Sequence, residues 1–300
     1  MRFKKDLDFV HLSKYFYIFS ITVTVLGIVF LATLGLNYSV DFKAGSNVDV
    51  SLSKNITQEE LKPALEGLGI SHEPEITLGE KRVNIRYDEV LDSDQDAALQ
   101  AAVTKLDDKA SFEVNTVDTE MAKELARNAI YAVLLSCLGI IVYVSIRFEW
   151  RFALAAIVAL MHDAFIVVAI FSIFRLEVDL TFIVAVLTII GYSINDTIVI
   201  FDRIRENLRF GKQKTYEDLK QLVNHSVAQT LMRSLYTAFT VFIAAFFLLI
   251  LGGESIKMFS LAMVIGLMFG AYSSIFIASP LWLVLKKRQK TAVKNKPAKA

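Results

Sequence analysis

Gly191-Tyr-Ser-Ile-Asn-Asp-Thr-Ile-Val-Ile-Phe-Asp-Arg-Ile-Arg-Glu-Asn207 is the stretch whose reading decides the fold. Its first half completes an apolar run that begins near residue 180, and its second half is charged, so a membrane helix over 180–201 is predicted to end here. Asp196 then falls about five residues inside the charged end, roughly 8 Å into the apolar layer at ~1.5 Å per residue. An ionised side chain near the bilayer centre costs about 2.5–3.5 kcal/mol even on a lenient insertion scale, so such residues mark ion pathways. Tyr192, Ser193 and Asn195 make a polar cluster around Asp196, which favours a transport role over a protonated aspartate that merely bonds a neighbouring helix.

Working outward, five more runs approach the ~20 residues needed to cross hydrocarbon. They lie near 15–36, 128–146, 152–174, 232–251 and 258–284, giving a polytopic α-helical membrane protein with six transmembrane helices. The 300 residues are 54% hydrophobic yet 21% charged, so the charge is concentrated between these runs. Basic residues near helix ends stay on the cytoplasmic side. Arg2, Lys4, Lys5 and Lys14 precede the first helix, Arg147 and Arg151 flank the turn after the second, and Arg203 to Lys220 carry six cations. The tail from Lys286 is also basic, whereas the alternate connections are nearly neutral. Both termini, 1–14 and 286–300, are therefore expected in the cytoplasm, the tail as a disordered segment attracted to anionic membrane lipids.

This topology places residues 37–122 outside the cytoplasm as a small α+β domain. Strands are predicted over Asn47–Leu52, Glu75–Leu78, Arg82–Tyr87 and Ser111–Val117. A helix opens at the capping box Thr57-Gln-Glu-Glu60, with Pro63 a blemish, and a second covers Asp96–Leu106. The order is that of a ferredoxin-like βαββαβ sandwich with a tight hairpin at Leu78–Lys81. Helices two to six then fall within 123–285. The connection near 202–231 reads either as an amphipathic helix at the cytoplasmic interface or as an ordinary solvated linker helix.

Two further ionisable residues lie within apolar runs. Asp163, following His162, is about 11 residues into its helix, near mid-membrane. Arg233 opens the fifth helix and either snorkels to the interface or pairs with Asp196 if their helices are neighbours. The sixth helix carries Ala262, Gly266, Gly270, Ser274 and Ala278, a small residue at every fourth position, as close helix packing requires.

Other chemistry finds little footing. A net charge of +1 gives no basic bias for nucleic acid, so no nucleic-acid partner is expected. Cys137 is the single cysteine, which excludes an intrachain disulfide and gives no metal spacing. Asp92-Ser-Asp-Gln-Asp96 lacks the glycine and glutamate of a calcium loop and reads as an acidic helix start. No metal, no organic cofactor and no catalytic residue is expected, and protons would be the coupling ion.

The opening stretch, taken with three others, resembles the SecD/SecF family, on its SecF side. Val40-Asp-Phe-Lys-Ala-Gly45 is similar to an Asp-Phe-x-Gly-Gly motif after the first helix, with Asp41, Phe42 and Gly45 matched and Ala44 in place of the first glycine. Gln229-Thr-Leu-Met-Arg-Ser234 and Gly270-Ala-Tyr-Ser-Ser-Ile-Phe-Ile-Ala-Ser-Pro280 are similar to the start of the fifth helix and the end of the sixth. Gly191, Tyr192, Ser193, Asp202 and Arg203 belong to the fourth-helix signature. The resemblance implies membership of the resistance-nodulation-division superfamily and pairing with a SecD-like six-helix subunit. It also implies association with the SecYEG channel and use of the proton motive force to assist a translocating preprotein. Asp196 and Arg233 match the residues implicated in the proton pathway, with Asn195 and Asp163 as further candidates and the first helix as the expected link to the domain. The alternatives are a proton-driven small-molecule or lipid exporter of the same superfamily, which usually has much larger outer domains, and an intramembrane aspartyl protease built on Asp163 and Asp196. The protease would need a Gly-x-Gly-Asp type motif where the sequence has Ser-Ile-Asn-Asp196.

Overall fold

The computed structural model describes residues 7–65, 70, 74–210 and 215–294. Arg2, Lys4, Lys5, Lys212, Lys214 and the end of the basic tail lie outside the described residues. The chain forms two compact units, a helical one and an α+β one comprising Tyr38–Ala132 with Glu177–Leu180.

Among the described residues, six helices are long and apolar enough to cross a membrane. They are α1 (Phe9–Leu34), α5 (Thr119–Arg147), α6 (Trp150–Ile173), α7 (Leu180–Phe210), α8 (Tyr216–Leu251) and a last span made of α9 (Lys257–Ser273), a π turn (Ser274–Ala278) and α10 (Ser279–Lys294). Asp8 caps α1 through the His11 amide and also binds Lys220 and Asn224 of α8. That cap explains why the helix starts well before its apolar run.

A Cβ on Gly27 would collide with Ala169, so α1 and α6 approach closely at that point. The same holds at Gly266, whose missing side chain makes room for Ile189 of α7. Phe16 stacks on Phe276 with ring centroids 4.0 Å apart, and Phe152 on Trp282 at 4.7 Å.

The charged stretch near 202–231 is not one helix lying flat. It is divided between the end of α7 and the start of α8, which the Thr215-Asp218 capping box opens. Its apolar residues Ile204, Leu219 and Val227 are buried within the chain instead of being offered to lipid. Likewise α10 stays helical to Lys294, into the basic segment expected to be disordered.

In the α+β unit, α2 (Val40–Lys43), β2 (Gly45–Ser51), α3 (Gln58–Leu65), β3 (Glu75–Gly79), β4 (Arg82–Tyr87), α4 (Ser93–Leu106) and β5 (Ser111–Val117) follow the short strand β1 (Asn37–Tyr38). One sheet has the order β3-β4-β2-β5, antiparallel throughout, with Val48 opposite Ile85 and Val114, and Val50 opposite Val83 and Phe112. Helices α3 and α4 contribute Leu61, Leu65, Leu99 and Val103 to the same core. Full burial of such a side chain contributes about 1.5–3 kcal/mol, which lets the short α3 tolerate Pro63.

The acidic cluster at Asp92 is a helix start, earlier than the expected Asp96, with a capping box between Asp92 and Gln95. The Ser53 hydroxyl, with the amides of Lys109, Ser53 and Lys54, holds the Asp107 carboxyl down to about 2 and ties the end of β2 to the turn after α4.

The motif before β2 is conformationally demanding. Gly45 has φ +138° and lies against the Tyr87 carbonyl oxygen, where a Cβ would collide. Ala44 sits at φ 70°, ψ 155°, a region that favours glycine. Relieving a strain of about 1–3 kcal/mol outweighs the 0.4–1 kcal/mol or so that a more flexible unfolded glycine costs. Ala44→Gly is therefore expected to stabilise the domain by about 1 kcal/mol, read as slower native-state hydrogen exchange of the β2 and β4 amides; unchanged or faster exchange would refute this.

Candidate functional site: buried carboxylates in the helical unit

Asp163 on α6 is fully buried, with a relative exposure of 0%. Its Oδ2 accepts hydrogen bonds from Ser193 of α7 at 2.5 Å and Ser273 of α9 at 2.6 Å, and its Oδ1 lies 2.9 Å from His162 Nδ1. His162 Nε2 lies 3.3 Å from the Tyr272 hydroxyl, which lies 3.0 Å from Ser20 of α1. With the carboxyl ionised, His162 donates from Nδ1 and accepts at Nε2, so the hydrogen bonds from Ser20 onward all point toward Asp163. Gly270 of α9 lies against this cluster, its Cβ position 3.5 Å from Ser193 Cβ and 3.7 Å from Asp163 Oδ2, which is ordinary contact distance.

Asp196 lies three residues beyond Ser193 on the same face of α7 and is also buried, at 4% exposure. The Ser234 hydroxyl, the Arg233 charge and Tyr192 are the polar groups that act on it. Ser234 Oγ is the hydroxyl set against the carboxyl, and among the described residues neither it nor the buried Tyr192 hydroxyl closes a hydrogen bond of good geometry. At the next residue, Thr197 Oγ1 lies 2.8 Å from Ser274 Oγ, in the π turn that interrupts the last span. Such a turn frees carbonyls, and Tyr17 donates to the Ile277 oxygen at 2.8 Å.

The expected ion pair between Asp196 and Arg233 does not form within 4 Å among the described residues, and the Arg233 side chain is exposed on α8. Asn195 and Gly191 lie on the exposed side of α7 and join neither cluster. Asp202 and Arg203, near the charged end of α7, form half-exposed ion pairs: Asp202 with Arg147 and Arg205, and Arg203 with Glu206. Asp41 and Gly45 lie in the α+β unit, together with Phe42. Ser20, Thr197, Ser234, Tyr272 and Ser273 were not singled out by the sequence reading, although hydroxyls inside apolar runs were the available signal.

Apolar spans that bury carboxylates among hydroxyls, in a chain that also folds a small α+β unit, define a polytopic helical membrane protein. The SecD/SecF C-terminal model of protein export membrane proteins matches residues 98–288, and the SecD/SecF GG motif matches 29–56. The chain belongs to the SecD/SecF family. It is 45% identical to the protein translocase subunit SecF of Alicyclobacillus acidocaldarius, covering 95% of this chain and 94% of that one. It is also 46% identical to the SecDF subunit of Bacillus subtilis over 94% of this chain and 38% of that longer protein. The crystal structure of SecDF from Thermus thermophilus, described as a translocon-associated membrane protein, superposes with a TM-score of 0.85 at 34% identity, over 95% of this chain and 39% of that one.

Proposed function

We propose that this chain is the SecF-type half of a non-enzymatic, proton-driven accessory unit of Sec protein export. Asp196 is the titrating group, Asp163 and its hydroxyl network form a second proton-handling site, and both termini are cytoplasmic. The observation that carries the reading is that Asp196 is buried within an apolar span and has no ion pair within 4 Å among the described residues, so its protonation changes the local charge outright. Arg233 acts on it through its field. The α+β unit faces away from the cytoplasm, where it meets the translocating preprotein beside a SecYEG channel.

A SecD-like partner is supported by the surfaces left uncovered. Leu134, Leu135 and Leu138 of α5 and Phe239 and Phe247 of α8 are exposed within the single chain, and a second helical subunit would cover part of them. The test is protein translocation into membrane vesicles that contain the channel and partner, with and without this chain. Imposing a proton gradient is expected to raise the yield of translocated preprotein only when the chain is present, and a protonophore should remove the increment. An equal response without the chain would overturn the reading.

A further inference from the structure

Leu180, the first residue of α7, the helix that bears Asp196, belongs with Glu177–Asp179 to the α+β unit, and α7 continues from Thr181 into the helical unit. Three contacts hold that segment. The Leu180 amide, the first of α7, donates to Asp41 Oδ2 at 3.0 Å. The Ser39 amide donates to the Val178 carbonyl at 2.9 Å, with the Val178 side chain buried. Arg86 Nη1 lies 3.2 Å from Glu177 Oε1, and the Arg86 side chain is only 7% exposed.

Each contact has a physical reason to be specific. The opening amides of a helix have no partner within it, and an aspartate there supplies both an acceptor and a charge suited to the dipole. Asp41 reaches this position because the Ser39 side chain caps the short helix α2, in which Asp41 lies. Arg86 is a buried guanidinium on the central strand β4, with Glu177, Glu75 at 3.6 Å and Asp88 at 3.9 Å as its anions. A buried cation demands such partners. Of the three, Glu177 is the most shielded from solvent and lies outside the Tyr38–Ala132 stretch. Burial pushes its carboxyl up, and Arg86 opposes that shift.

We propose that Asp41 and Arg86 form a two-point clamp on the start of α7 and are the positioning residues through which a change at Asp196 reaches the α+β domain. This rests on the proton-coupled reading above. It assigns the motif aspartate Asp41 a physical task, and it places the link in α7, whereas the sequence reading assigned it to the first helix. A rigid helix carries a displacement along its length, and the clamp ties its first residue, Leu180, to Asp41 of α2 and the adjoining Glu177 to Arg86 of the central strand β4.

The test uses the full chain with its partner in vesicles and follows amide exchange in three places: the Asp196 region of α7, its first turn, and strand β4. In the wild type, imposing a proton gradient is expected to change exchange at all three. In Asp41→Ala, first-turn exchange should rise about fivefold, as loss of a helix cap implies. The gradient response of β4 should then vanish while that near Asp196 persists. Asp41→Asn, which caps as well, should restore the β4 response, and Arg86→Gln should lose it. Gradient responses in β4 that survive both Asp41→Ala and Arg86→Gln would overturn the clamp. A wild type with no gradient response near Asp196 would instead sink the proton-coupled reading, so the two failures are distinguishable.

Discussion

Asp196→Asn is expected to abolish the gradient-dependent increment of translocation, bringing vesicles to the level of those that lack the chain, while the amount of folded protein and its partner binding stay unchanged. Asparagine keeps the size of aspartate and an oxygen to face Ser234, so packing is preserved; it removes the titration. One proton moving down 100 mV releases about 2.3 kcal/mol, comparable with the few kcal/mol that separate two conformers of a switch. Without a group that gains and loses the proton, that energy has no route into the bundle. Arg233→Met is expected to fail in the same assay, because it removes the cation whose field acts on the Asp196 carboxyl. Asp202→Asn is the control. Its half-exposed pairs with Arg147 and Arg205 are of a kind worth about 0–1 kcal/mol, so its increment should remain close to wild type. An undiminished response in Asp196→Asn would remove the basis of the mechanism.

The six spans were legible because a run of about 20 apolar residues has few other places to go. Their ends were less so. The apolar run sets where hydrocarbon ends, whereas α1 and α8 continue to Asp8 and Thr215 because side-chain caps stop them there. The Thr215-Asp218 box was present in the sequence, yet the stretch was read as one connecting helix, either amphipathic at the interface or a solvated linker. Depth in the membrane also gave the height of Asp196 and Arg233 but not the direction each faces. One residue is about 100° of helix, and it is Ser234, not Arg233, that turns toward Asp196 while the arginine points outward. The small-residue ridge was legible from its spacing, and Gly266 and Gly270 do face α7. The hydroxyls around Asp163 come from α1, α7 and α9, so no spacing within one segment announces them.

Asp163 is expected to divide two substitutions sharply. In Asp163→Leu, the Ser193 hydroxyl and the His162 Nδ1 proton lose their acceptor within the bundle, and Ser273 is left with the Gly270 carbonyl oxygen at 3.2 Å. Leaving buried donors unsatisfied costs about 1–3 kcal/mol each, so even with partial relaxation the variant should lose about 3 kcal/mol or more and yield little folded protein. Asp163→Asn keeps an oxygen for the two serines and directs its amide nitrogen at His162 Nδ1. That nitrogen must then be an acceptor, so the His162 proton moves to Nε2 and donates to Tyr272, which in turn donates to Ser20. The chain of hydrogen bonds survives with its direction reversed, and stability should fall by about 1 kcal/mol at most. Thermal unfolding in detergent measures the first difference, and nitrogen-15 shifts of His162 report which ring nitrogen carries the proton. A leucine variant as stable as wild type would show that the carboxyl does not anchor these helices. An asparagine variant that keeps the proton on Nδ1 would show that the relay through Tyr272 is not continuous.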